Sequence, residues 1–175
     1  LAELGTKFDK EKRIIPVSVK TRIGYDQESV EVWIPEILKE SPVNITVHGR
    51  TLKQMYQGEA DWSALTKVGH IINDYNEELD EETRITYIAN GDITSAEVAL
   101  EKLQQSGADG LYIGRATYGN PWIFENVREK LKNNDYVFVE KTLDERISVA
   151  LEHCDLHHKL NEPQGFVQMR KHLAW

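Results

Sequence analysis

The chain has 175 residues, 40% of them hydrophobic, and a formal net charge of −8. That size suffices for one ordinary core, and the excess of Asp and Glu excludes a surface that is a nucleic-acid footprint throughout, because counterion release rewards concentrated Lys and Arg. No run approaches the ~18 to 20 apolar residues of a membrane span and residues 1–13 are too charged for a signal peptide, so a soluble, cytoplasmic protein is expected. The single cysteine, Cys154, cannot close an internal disulfide and has no Cys neighbour for a zinc site, so no metal is expected.

Four short apolar runs rich in β-branched residues, each followed by a helix-like segment, predict parallel strands in an α/β fold. The first covers residues 17–23 and is interrupted by Lys20, which needs either a ligand acceptor or a strand-end carboxylate such as Asp92 as partner. Behind it Val30, Trp33, Ile34, Ile37 and Leu38 fall at helical spacing, and Pro35 predicts that the regular helix begins near Ile34. The second run, 43–48, closes on His48, whose ordinary reading is a satisfied structural histidine. Asp61 then reads as the N-cap of a helix whose stripe is Trp62, Leu65, Val68, Ile71 and Ile72. The acidic stretch 77–82 reads as a solvated loop.

The third run, 84–89, leads into Asn90-Gly91-Asp92. After it Thr94 and Glu97 form a capping box, Ala96, Ala99, Leu100 and Leu103 a buried stripe, and Gly107 the C′ position. The fourth, 110–113, ends in Gly114-Arg115. Beyond Asn126 strand signals fade: 136–139 is ambiguous, 143–160 reads as a long helix with Ile147, Ala150, Leu151 and Cys154 along one side, and Pro163 opens a second helix. On that stripe Cys154 is expected to be a small buried hydrophobe. A boundary near residues 135–141 therefore separates an α/β domain, 1–135, from the start of a truncated all-α domain, 136–175. Leu1 in place of Met, and Trp175 with no stop signal behind it, predict that both ends are cuts. A local basic patch is expected from His153, His157, His158, Lys159, Arg170, Lys171 and His172.

Four βα units do not close a barrel of eight strands, while a doubly wound sheet lacks its fingerprint, since no G-x-G-x-x-G follows the first strand. In a barrel, function sits at the C-terminal strand ends, and there the sequence puts Asn90-Gly91-Asp92 and Gly114-Arg115. Glycine admits close approach of a backbone N–H to an anion, the helix opening at Ser95 adds positive charge, and Arg115 offers a fork of donors; together they suit a phosphate. The same glycines would also serve tight βα turns, and spacing leaves the two readings open.

The ordered motifs carry a resemblance. Val19-Lys20-Thr21-Arg22-Ile23-Gly24, Thr46-Val47-His48-Gly49-Arg50-Thr51 with Gln54-Met55-Tyr56, Ile88-Ala89-Asn90-Gly91-Asp92-Ile93, and Ile113-Gly114-Arg115 with Gly119-Asn120-Pro121-Trp122 resemble the tRNA-dihydrouridine synthases. The tail Met169-Arg170-Lys171-His172 is similar to the bacterial B-type branch. The resemblance implies strands five to eight of a (β/α)8 TIM barrel followed by the start of a tRNA-binding helical domain. It implies an FMN enzyme that uses NADPH to reduce a tRNA uridine to 5,6-dihydrouridine. Lys20 and His48 would contact the flavin ring. Asn90, Gly91, Asp92, Gly114 and Arg115 would hold its phosphate, Asp92 mainly through its backbone or by shaping the loop, and Arg22 and Arg50 would face the substrate. The family's general-acid cysteine lies before the region corresponding to Pro16, so no catalytic residue is assigned and the chain alone is expected to be inactive. A noncatalytic RNA-binding module made from the same fold and another FMN barrel, such as a dihydroorotate dehydrogenase relative, are the alternatives; the His48-Gly49-Arg50-Thr51 stretch favours the tRNA enzyme over the latter.

Overall fold

The computed structural model of the chain describes residues 15–160 and 166–173. Its elements run β1 (Ser18–Arg22), α1 (Val30–Leu38), β2 (Asn44–His48), α2 (Trp62–Asn76), β3 (Thr86–Asn90), α3 (Ala96–Ser106), β4 (Gly110–Tyr112), α4 (Ile123–Lys132), α5 (Leu143–Leu160) and α6 (Arg170–Leu173). The four expected strands are present and form one parallel sheet in the order β1-β2-β3-β4. Sequential order matters. Parallel neighbours are joined by right-handed crossovers, and when each strand is added on the same side of the last, every crossover falls on the same face. A doubly wound sheet reverses its order and has helices on both faces.

The strands alternate accordingly. Ile45, Val47, Tyr87 and Ala89 are fully buried, and the Tyr87 hydroxyl donates to the Leu65 carbonyl of α2 at 2.9 Å, which identifies theirs as the helix-covered face. Burial raises the Tyr87 pKa further above its ordinary value. On the helix side Val30, Ile34, Leu65, Val68, Ile72 and Ala99 complete the core. Gly69 lets α2 approach α3, since a Cβ there would stand 2.0 Å from the Ser106 carbonyl oxygen. Asn76 staples the end of α2 to the sheet: its amide donates to the Ile85 carbonyl and accepts the Ile85 N–H, both at 2.9 Å.

Local signals decide the helix ends, with two corrections. Pro35 lies inside α1, which starts at Val30 instead of near Ile34. The carbonyl that proline leaves unbonded is that of Glu31, an exposed residue, so water can satisfy it and the helix survives. Helix α3 begins at Ala96, one turn position later than a Thr94 cap implies, and the Glu97 carboxyl is held below its ordinary range first by its own backbone N–H and then by the Ser95 side chain. Asp61 caps α2 as expected, accepting the Ala64 N–H at 2.9 Å, and Gly107 takes the left-handed φ of 63° that a C′ residue needs. Trp33 is a further departure: it is exposed, with its indole N–H on the Thr21 hydroxyl at 2.9 Å.

The chain forms two compact units, one of residues up to 93 with 98–114, the other of residues 94–97 with those from 115 onward. In the second unit, residues 136–139 form no strand, and Val137 and Val139 are exposed. Helix α5 has the expected bounds. Its start is a capping box that sequence reading missed, Thr142 and Glu145 exchanging hydrogen bonds of 2.8 and 3.3 Å. Its expected stripe is not a buried one: Ile147 and Leu151 are exposed and Cys154 is half-buried, not the enclosed hydrophobe anticipated. The half-buried residues of α5 are Val149, Ala150, Cys154 and His157, and Val149, Ala150 and His153 line a cavity of about 370 Å³ with Trp122, Phe124 and Arg146. Pro163 lies outside the described residues. No described helix is long and apolar enough to cross a membrane.

Candidate functional site

Strand alternation and parallel register together build a polar row. Arg22 pairs with His48, His48 with Asn90 and Asn90 with Tyr112, so these four residues cross the sheet side by side at its C-terminal edge. They lie on the face opposite Tyr87 and Ala89, and Lys20 shares that face two residues before Arg22. Arg22, His48, Asn90 and Tyr112 are each the last residue of their strand.

Asn90 is the centre of the row. Its amide donates to the Tyr112 carbonyl at 2.8 Å and its oxygen faces the Lys20 ammonium at 3.5 Å, while that ammonium stands 5.6 Å from the centre of the Tyr112 ring. Lys20 is therefore partnered by an amide and an aromatic face, with Asp92 engaged elsewhere, and its side chain is exposed at the strand end instead of buried. Partial desolvation, then the charge of Arg22, lowers its pKa. Arg22 spans β1 to the loop after β2, donating to the carbonyls of Thr51 at 2.7 Å and Met55 at 3.1 Å.

Arg50 is turned inward. It is only 2% exposed, and its guanidinium forms a fork on Asp92, Nη1 to Oδ1 at 2.9 Å and Nη2 to Oδ2 at 2.6 Å. Nη2 also donates to the Gly58 carbonyl at 2.6 Å, Nε to Gln57 at 3.3 Å, and Nη1 lies 3.4 Å from His48 Nε2. All five of its N–H donors are thus committed within the chain, so Arg50 has none left for a substrate. A second bond ties the carboxylate of Asp92 to the Ala60 N–H at 2.8 Å. Asp92 shapes the loop, as the sequence reading allowed, through its side chain.

His48 is buried beside three cations. Desolvation first, then Arg22, Lys20 and Arg50 working against Asp92, push its pKa down to about 4, so the ring is neutral at pH 7. Gly91, with φ 153°, lies where a Cβ would stand 2.5 Å from the Ala60 Cβ; any side chain would displace the loop. Gly114 differs. Just beyond β4, a Cβ at Gly114 would meet nothing within 4 Å, so packing does not explain this glycine. Arg115 follows directly, opening a short 3₁₀ turn, Arg115–Thr117.

In the second unit His153 and His172 stack edge-to-face at 4.8 Å, His172 meets Tyr118 at 5.3 Å, and Lys171 lies 5.0 Å over the Tyr118 ring. Part of the expected basic patch is thereby assembled. Lys159, by contrast, is paired with Asp155. Among the described residues no group of three or more His, Cys, Asp or Glu could hold a metal ion. Two features escaped sequence reading: Tyr112, which period-two alternation from Gly110 places on the row, and the Arg50–Asp92 fork, for which 42 residues of separation left no local signal.

Fold and row define a class: singly wound βα units with a row of polar side chains at the carboxyl ends of their strands, as in the (β/α) barrels. The dihydrouridine synthase family model, described as "Dihydrouridine synthase (Dus)", matches residues 5–175. The chain belongs to that family. It is 37% identical over 164 residues to tRNA-dihydrouridine synthase B of Pasteurella multocida, covering 92% of this chain and 46% of the relative. A probable tRNA-dihydrouridine synthase of Rickettsia conorii is 36% identical over 167 residues, again 92% of this chain and 46% of the relative, and the B enzyme of Pseudomonas aeruginosa is 32% identical over 164. The resemblance read from the motifs is borne out. The chain spans about half the length of these curated relatives.

Proposed function

We propose that the chain is the ligand-holding part of an FMN-dependent oxidoreductase that reduces uridine to 5,6-dihydrouridine in tRNA with NADPH, working in the cytoplasm. On this reading its strands are five to eight of a (β/α)8 barrel, with the barrel part extending to about residue 135 and a helical tRNA-binding part from 136. The observation that carries it is the row Arg22, His48, Asn90 and Tyr112 at one strand edge with Lys20 on the same face, in a chain of this family.

When bound, FMN supplies the hydride that NADPH provides and the uracil ring accepts. Lys20 holds positive charge near the carbonyl end of the flavin ring, and its bond to Asn90 limits the directions its ammonium takes. His48 adds a neutral ring beside it. The backbone around Asn90, Gly91, Asp92 and Gly114, with the guanidinium of Arg115, holds the phosphate end. Asp92 does so indirectly, by fixing the loop through Arg50 and Ala60. Arg22 braces the loop at Thr51 and Met55, on the side where a substrate base would enter. The general acid is a cysteine outside this chain, so the chain alone does not turn over.

The test is flavin content. The full-length protein is expected to purify yellow, with Lys20→Ala and Arg115→Ala each lowering the FMN released per protein on denaturation. A colourless full-length protein that takes up no added FMN sinks the reading.

A further inference from the structure

Arg50 and His48 raise a question that buried charge alone does not answer. An arginine N–H only donates, so the nitrogen facing Arg50 Nη1, His48 Nε2 at 3.4 Å, must carry a lone pair. In a neutral imidazole the remaining proton is then on Nδ1. Among the described residues the ring has no other hydrogen-bond partner, so none of the others selects the tautomer.

The guanidinium cannot turn away from this duty. Two bonds to Asp92, one to Gly58 and one to Gln57 fix its plane, and Asp92 is in turn anchored by the Ala60 N–H. Gly91 stands beside the ring edge: the position its missing Cβ would take lies 3.8 Å from His48 Cδ2, next to Nε2. The charged groups around the ring are Lys20 and Arg22 from β1, Arg50 from its own loop and Asp92 from the end of β3, a set that opposes a second ring proton.

We propose that Arg50 is a positioning residue that holds His48 in its Nδ1–H tautomer, so that the ring presents a hydrogen-bond donor to an acceptor atom of the ligand bound at the strand ends. The identity of that ligand rests on the flavin reading; the tautomer does not. The device has a consequence for recognition. A fixed N–H donor selects a carbonyl or ring-nitrogen acceptor and discriminates against a ligand that offers a donor there, because a buried donor facing a donor leaves both unpaired.

The experiment is long-range ¹H–¹⁵N correlation on the chain labelled with ¹⁵N-histidine, without flavin, with His48→Gln used to assign the resonance. His48 is expected to show a protonated Nδ1 and a lone-pair Nε2 from pH 8 down to 5.5. An Nε2–H ring, or an imidazolium at pH 7, overturns the proposal. Arg50→Lys keeps the charge but removes the fork, and is expected to raise the Nε2–H population and move the titration toward the ordinary value. An Arg50→Lys ring that stays wholly Nδ1–H overturns it too. Should that variant not fold, the wild-type spectrum still decides. An Nδ1–H ring in a full-length protein that binds no FMN would sink the flavin reading and leave this inference standing; an Nε2–H ring in a yellow protein would do the reverse.

Discussion

The sheet unit and the helical tail use their apolar residues differently. In the first, Ile34, Ile45, Leu65, Val68, Ile72 and Tyr87 are wholly enclosed, and the polar residues that break the strand pattern gather at one edge. In the second, Leu143, Ile147, Leu151 and Leu160 are exposed along α5, and of its large apolar residues only Ile123 and Met169 are buried among the described residues. Equal hydrophobicity in sequence therefore has unequal energetic weight. Burial against partners from other elements stabilises the first; the second relies on capping and on local pairs such as Lys159 with Asp155.

Substitutions test that contrast. Leu65→Ala empties a fully buried site and is expected to cost about 2–5 kcal/mol in urea denaturation, because cavity loss adds to transfer loss. A cost below about 1 kcal/mol would mean that the sheet unit is no better packed than the tail.

A pH effect comes next. His48 has a folded pKa depressed to about 4 from an ordinary 6.5, so the unfolded chain binds the extra proton between those values. Stability contributed by the neutral ring is thus present above pH 6.5 and is lost as pH falls toward 4. In His48→Gln that part of the slope should disappear. A wild type and variant with parallel stability curves over this window would show that the ring is not desolvated.

Caps distinguish the units at smaller scale. Asp61→Ala is expected to lower the stability of the whole sheet unit by about 1 kcal/mol, while Thr142→Ala, a loss of similar size, should show mainly as faster amide exchange in the first turn of α5. Smallest of all, Leu151→Ala should change stability by less than about 0.5 kcal/mol, as an exposed leucine on a helix surface does. A loss near that of Leu65→Ala would mean that the α5 stripe is covered in solution.

Much of this architecture was legible in the residues. Short apolar runs rich in β-branched residues located the four strands, Asp61 and Gly107 marked helix ends, and the order of the strand-end motifs pointed to the family. These signals are local: each depends on backbone preference or on side chains within a few residues. Pro35 misled for the same reason, since its effect depends on whether the freed Glu31 carbonyl reaches water, which only the packed helix reveals.

Tertiary structure decided the rest. Lys20 looked like a charge needing either a ligand acceptor or a strand-end carboxylate, and within the chain it is partnered by Asn90 from a strand 70 residues away. Arg50, expected to face a substrate, lies buried with every donor committed to Asp92, His48 and two loop carbonyls. Residue type and spacing state that a polar group stands at a strand end. Which way it turns depends on which acceptors the parallel register brings within about 3 Å, and that is a property of the assembled sheet.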